Sequence, residues 1–229
     1  LETAAADKPL SFLDHHLQHR ASLIGAWLED LQAPPNSKTQ SPVSNLQSPL
    51  FDESRFTRDA SLAVGGVLAI ERATTNSIDD VHLKEQLWRE LQQTHIARWQ
   101  LLADLWVSAY FGNTMTPEEY RALAAYLNQQ PPGGFNPASL SDVASQPPGG
   151  SQSPPGGLLN HFLQHPAVTD NDYFHWELAF PEVFFDEYGR SRHEAAGFDA
   201  VIGNPPYVRQ EQLTPLKPYF QKQFASYSG

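Results

Sequence analysis

Residues 197–207 read Gly197-Phe198-Asp199-Ala200-Val201-Ile202-Gly203-Asn204-Pro205-Pro206-Tyr207, and the fold expected of the whole chain hangs on them. The short apolar run Ala200 to Ile202 reads as a buried strand. Gly203 lets the backbone turn, and Asn204-Pro205-Pro206-Tyr207 follows as a rigid, exposed tetrapeptide. Two prolines fix two φ angles and remove two donors, and Pro205 pushes Asn204 toward an extended conformation. An amide side chain, a free carbonyl and an aromatic ring are then presented at the carboxyl end of a strand. That edge is where open α/β sheets place their ligands.

This arrangement suits a particular chemistry. An exocyclic amine on a flat heterocycle is a poor nucleophile, because its lone pair is delocalised into the ring. The Asn204 side-chain oxygen and the Pro205 carbonyl can accept its two N–H hydrogens, favouring a pyramidal nitrogen with its lone pair aimed at an electrophile. Tyr207 would stack on the ring. No strong base is needed before attack, so catalysis rests on positioning and hydrogen-bonded polarisation. A base in a duplex must be flipped out to reach such a pocket, at a cost of a few kcal/mol. The plainer alternative is a Pro-Pro turn closing a strand, with Tyr207 as a packing residue.

Asn204-Pro205-Pro206-Tyr207 after a hydrophobic strand resembles the catalytic motif of S-adenosylmethionine-dependent amino-methyltransferases acting on adenine N6 in DNA. The stretch Phe174-His175-Trp176-Glu177-Leu178-Ala179-Phe180-Pro181-Glu182-Val183-Phe184, then Gly197-Phe198-Asp199, then Asn204 to Glu211, resembles the large bacterial type IIG restriction–modification methylases. Pro9 to Leu17 and Ser22-Leu23-Ile24-Gly25 resemble the same family's stretch before its adenine-binding loop. Glutamine methyltransferases of translation factors share the tetrapeptide, so the specificity comes from its combination with the Phe174–Phe184 stretch.

The resemblance implies an α/β fold: part of a class I, Rossmann-like methyltransferase core, with a helical-hairpin insertion and a disordered Pro/Gly-rich segment. It implies catalytic roles for Asn204, Pro205, Pro206 and Tyr207. It also implies S-adenosyl-L-methionine as the intact enzyme's cofactor, and double-stranded DNA with a flipped adenine as partner. In the family, Asn or Asp precedes Ser-Leu-Ile-Gly and helps hold the cofactor's adenine. Here Arg20-Ala21-Ser22 stands in that place, and the Ala21 side chain cannot accept a hydrogen bond. No glycine-rich cofactor turn lies between a strand and a helix, so the cofactor-binding residues stay unknown. By the family's order that turn would precede Leu1.

The chain begins at Leu1 and its sole methionine is Met115, so it is expected to be an internal piece that works with the rest of a parent chain. Alone it is expected neither to bind the cofactor well nor to transfer methyl groups. No carboxylate–lysine nuclease cluster is visible. A protein-glutamine methyltransferase and a non-catalytic remnant or interaction module remain as alternatives. The tryptophan-rich insertion and Phe174 to Leu178 argue against the first. Ala21 and the missing cofactor turn favour the second.

The 229 residues are enough for one domain with a real core. A formal net charge of −11 is not that of an obvious DNA binder, but the charge is uneven. Residues 170–199 carry eight acidic and two basic side chains, whereas 204–229 carry Arg209, Lys217 and Lys222 against Glu211 alone. With no cysteine there are no disulfides and no thiolate metal site. No run of eighteen apolar residues and no signal-peptide pattern is present, so no membrane partner and a cytoplasmic location are expected.

The expected organisation is methyltransferase core at 1–32, linker at 33–49, helical insertion at 50–129, disordered Pro-Pro-Gly-Gly linker at 130–157 and the catalytic-motif part of the core at 158–229. Ser61 to Ile70 reads as two short elements broken by Gly65-Gly66. Ser77 to Asp80 reads as a capping box opening a helix that runs without proline or glycine to Phe111. Leu83, Leu87 and Leu91 form one stripe on it; Trp88, His95, Trp99, Leu102 and Trp106 form another, read as core. Thr116 and Pro117 open a further helix. His15, His16 and His19 are spaced like metal ligands, but no nearby carboxylate completes a pattern, and no metal is expected.

Overall fold

The computed structural model describes residues 15–35, 52–129, 161–170, 172–203 and 214–224. Helix α1 (Glu53–Arg72) opens at Asp52, whose carboxylate accepts the Arg55 N–H at 3.0 Å. Helix α2 (Ile78–Leu91) opens with the expected capping box. Ser77 Oγ accepts the Asp80 N–H at 3.2 Å, and the Asp80 carboxylate accepts the Ser77 N–H at 2.9 Å. These two bonds satisfy two donors that the first helical turn leaves without an internal partner.

From α2 the chain continues through a π-helical turn (Gln92–Ile96) into α3 (Ala97–Ser108) and a 3₁₀ turn at Ala109–Phe111. Gly112, at φ +95°, ends the run. Helix α4 (Pro117–Gln129) starts with a second reciprocal cap. Thr116 Oγ1 accepts the Glu119 N–H at 3.2 Å, and the Glu119 carboxylate accepts the Thr116 N–H at 2.7 Å.

The second stripe is core, as its spacing suggests. Trp99, Leu102 and Trp106 are buried with Val64 and Val67 of α1 and Tyr120 and Leu123 of α4. The first stripe is not: Leu83 and Leu87 are exposed, and Leu91 alone is buried. The Gly65-Gly66 pair does not break α1. A Cβ on Gly66 would fall 2.2 Å from Leu91 Cδ1, so this glycine is a notch into which Leu91 of α2 fits.

The π turn faces the molecule's buried ion pair. Arg98 Nε and Nη2 donate to Asp59 Oδ2 at 3.1 and 2.5 Å, and Trp99 Nε1 donates to the same oxygen at 2.8 Å. His95 Nδ1 lies 3.8 Å from Asp59 Oδ1. All this is closed over by Phe56, edge-on to Trp99 at 5.4 Å and to Phe185 at 5.1 Å.

Shorter helices among the described residues include α5 (Pro166–Thr169), α6 (Trp176–Ala179), α7 (Pro181–Phe184) and α8 (Lys217–Gln223). Helix α5 packs on α3, and α7 on α1.

The α/β, Rossmann-like core expected from the sequence is not what forms. The described residues are mostly helical and contain no sheet. Their β pairing consists of two isolated bridges, Ala21 with Tyr173 (parallel) and Phe185 with Ser191 (antiparallel). Ala200 to Ile202 is not a buried strand: Val201 is 80 % and Ile202 98 % exposed. A strand is stable only when neighbouring strands take up its N–H and C=O groups, and among the described residues none lies beside this run. The 36–49 part of the linker and the Pro-Pro-Gly-Gly segment lie outside the described residues. Among those described, no helix is long and apolar enough to cross a membrane.

Candidate functional site

Arg20 to Leu28, which contains Ser22-Leu23-Ile24-Gly25, and Tyr173 to Leu178, which overlaps the start of the Phe174–Phe184 stretch, are bonded to each other and form a brace. Ala21 N–H donates to the Asp172 carbonyl at 3.1 Å, and Phe174 N–H donates to the Ile24 carbonyl at 2.8 Å. Arg20 Nη1 donates to the Tyr173 carbonyl at 3.2 Å, and Trp176 Nε1 donates to the Ser22 carbonyl at 3.0 Å. Leu28 N–H donates to Glu177 Oε2 at 2.6 Å.

His175 sits at the centre, 3 % exposed. Its Nδ1 accepts the Ala26 N–H at 3.0 Å, and its Nε2 lies 2.9 Å from Asp104 Oδ1 of α3. A ring nitrogen that accepts cannot carry the proton, so Nε2 holds it and donates to Asp104. One imidazole thereby ties the loop to the helical block.

Gly25 can only be glycine, because a Cβ there would lie 1.8 Å from the Phe174 carbonyl oxygen. On its other side stands Tyr219 of α8. The Tyr219 hydroxyl accepts the Gly25 N–H at 2.8 Å and donates to the Gly25 carbonyl. Burial pushes that hydroxyl up to about 12, so it stays protonated as this pairing requires. Burial also raises the Glu177 carboxyl above the ordinary carboxylate range, against the lowering pull of the Leu28 N–H.

The same segment holds the approach to the Asn-Pro-Pro-Tyr motif. Phe198 is edge-on to Trp176 at 5.7 Å, to Phe180 at 5.4 Å and to Phe184 at 6.1 Å. Edge-to-face rings at these distances attract beyond their area burial. Asn204, Pro205, Pro206 and Tyr207 themselves lie outside the described residues. The chain is thus anchored at Phe198 and runs through exposed Val201 and Ile202 toward Asn204.

The Ser22–Gly25 loop does not fit the cofactor's adenine. Ala21 offers no side-chain acceptor. The loop's Ser22, Ile24 and Gly25 carbonyls and its Ile24, Gly25 and Ala26 N–H groups are already engaged within the chain. No catalytic step is therefore derived through S-adenosylmethionine at this loop.

A groove of about 360 Å³ opens beside the brace, lined among others by Gln18, Arg20, Trp88, Gln92, Gln93 and Gln100. His165 caps α5, its Nδ1 accepting the Ala167 N–H at 3.1 Å. His15 and His16 come together with Glu71 of α1, a carboxylate far from them in sequence; His19 does not belong to that group.

Asp104, Glu177 and Tyr219 were not singled out by sequence reasoning. Glu177 and His175 lie inside the Phe-His-Trp-Glu-Leu stretch, which marks them. Asp104 and Tyr219 carry no local signal, since their partners lie far away along the chain.

Residues 105–229 match the family described as Eco57I restriction-modification methylase, so the match covers more than half of the chain. The chain belongs to this restriction-modification methylase family, whose chemistry is S-adenosylmethionine-dependent methyl transfer to DNA. No curated protein and no solved structure matches it.

Proposed function

We propose that this chain carries the target-base part of a type IIG DNA adenine-N6 methyltransferase, with Asn204-Pro205-Pro206-Tyr207 receiving a flipped adenine. The observation that carries the reading is the Phe198 anchor: three aromatic side chains of the Trp176–Phe184 segment hold the backbone just upstream of Asn204. A loop fixed on its entry side suits catalysis by positioning, which needs reacting atoms held in near-attack geometry. In this reading the Asn204 side-chain oxygen and the Pro205 carbonyl accept the two amine hydrogens, and Tyr207 stacks on the ring.

The groove beside the brace adds support for DNA as partner. Glutamine amides and a guanidinium suit base edges in the major groove, and Trp88 offers a stacking surface. The cofactor is S-adenosylmethionine, its adenine held elsewhere than at Ser22–Gly25. Titration of the chain with S-adenosylmethionine alone should then give no tight binding.

The testing experiment is nucleoside analysis of DNA after incubation with the complete enzyme and labelled S-adenosylmethionine. Label in N6-methyladenine is the expected result. Label in a methylated cytosine, or in a Gly-Gly-Gln peptide and not in DNA, would sink the adenine assignment.

A further inference from the structure

Outside the brace, the loop at 15–16 meets the end of α1. His16 Nε2 lies 3.4 Å from Glu71 Oε1. The His15 and His16 rings are 3.8 Å apart and tilted by 39°. One ligand atom from each of His15, His16 and Glu71 lies within 4.8 Å of the others. His15 is buried, with Trp88 of α2 edge-on at 6.0 Å. His16 and Glu71 keep side-chain exposures of 43 % and 37 %. The group therefore has an aromatic floor and a mouth open to water.

We propose that His15, His16 and Glu71 bind a divalent cation of the zinc type. The donor set is two imidazoles and one carboxylate, which suits zinc, cobalt or nickel rather than a hard cation. Calcium takes six to eight oxygen ligands and magnesium near-octahedral oxygen; a single carboxylate beside two imidazoles supplies neither. Ligands about 2.0–2.1 Å from a tetrahedral zinc stand roughly 3.3–3.4 Å from one another. The His16–Glu71 pair is already at that separation, and a His15 ring nitrogen lies within 4.8 Å of both.

A nearby carboxylate is consistent with a cation here. Glu182 of α7 has a buried Oε2 with no hydrogen-bond partner among the described residues, and the Glu71 charge acts on it. The ion would pin the segment leading into Arg20–Gly25 against α1, so its role is to hold the brace's entry rather than to take part in methyl transfer.

The test is a cobalt titration of chelator-treated chain, read by the visible bands of a tetrahedral nitrogen/oxygen cobalt site and by displacement with zinc. One equivalent should bind. His16→Ala and Glu71→Gln should each weaken binding at least tenfold, while His19→Ala, an exposed histidine of the same loop, should leave it unchanged. His16 and Glu71 are surface residues, so circular dichroism of the variants should match the unaltered chain. Glu71→Gln keeps the side-chain shape and reads the ligand loss separately from packing. Absence of tetrahedral bands, binding that survives both His16→Ala and Glu71→Gln, or binding lost with His19→Ala would each overturn the site. None of these outcomes bears on the adenine assignment.

Discussion

Val64 and Val67 of α1 and Val201 and Ile202 beyond Phe198 are the same chemistry with opposite fates. The first two are buried in the helical core, and the second two stand almost wholly in solvent. The difference is where each gets its partners. A helix satisfies its own backbone, so an apolar stripe needs only another stripe to cover it. A strand must borrow both backbone and side-chain partners from elsewhere in the chain. Between these extremes lies the brace of Arg20–Leu28 on Tyr173–Leu178, mostly irregular backbone stabilised by the side chains of His175, of Glu177 in α6 and of Tyr219 in α8, with His175 itself held by Asp104 of α3.

The contrast breaks most easily at the helical end. Asp59→Ala removes the buried carboxylate to which Arg98 and Trp99 donate. The expected loss is about 3–5 kcal/mol, read from the urea midpoint. A loss below about 1 kcal/mol would mean that the block does not depend on this pair.

At the brace, Gly25→Ala drives a Cβ into the Phe174 carbonyl, where neither backbone can move freely. A cost of about 1–3 kcal/mol is expected, together with faster amide exchange at Phe174 and Ala26. A neutral substitution would show that the two stretches are not held in register here.

A matched pair sharpens the comparison. Val67→Ala should cost about 2 kcal/mol through lost burial. Val201→Ala should stay within about 0.5 kcal/mol of the unaltered chain. Equal losses in the two variants would show that the 200–202 run is buried in solution after all.

The smallest expected effect is a pH slope. The Glu177 carboxyl titrates above its ordinary value because burial favours the neutral form. The folded state therefore binds more protons than the unfolded chain above the ordinary carboxylate pKa of 4.5. The stability this supplies is complete below that pH and falls as pH rises through the folded value. Glu177→Gln, which can still accept the Leu28 N–H, should flatten that part of the stability–pH profile. An unchanged profile would remove Glu177 as its source.

What was legible in the sequence was local. Ser77 with Asp80 announces a helix start because a cap and its partner lie three residues apart, and Thr116 with Pro117 does so because a capping side chain precedes a proline at the first helical position. Trp99, Leu102 and Trp106 announce a buried face because their spacing repeats. Other features depended on distant partners. Gly66 resembles a helix breaker until Leu91 is seen to fill its notch. Ala200 to Ile202 resembles a strand whenever a neighbour is assumed, and that assumption produced the α/β expectation. Glu71 lies far from His16 in sequence, yet it stands beside it in space. Tyr219 meets Gly25 from the far end of the chain, and nothing in either neighbourhood foretells the contact.

The most direct test of the central claim is Asn204→Ala in the complete enzyme, measuring methyl transfer to DNA and S-adenosylmethionine binding side by side. If Phe198 anchors a loop whose amide holds the target base, transfer is abolished while cofactor affinity is unchanged. Transfer that persists at the unaltered rate would contradict the assignment of Asn204 and the account built on it.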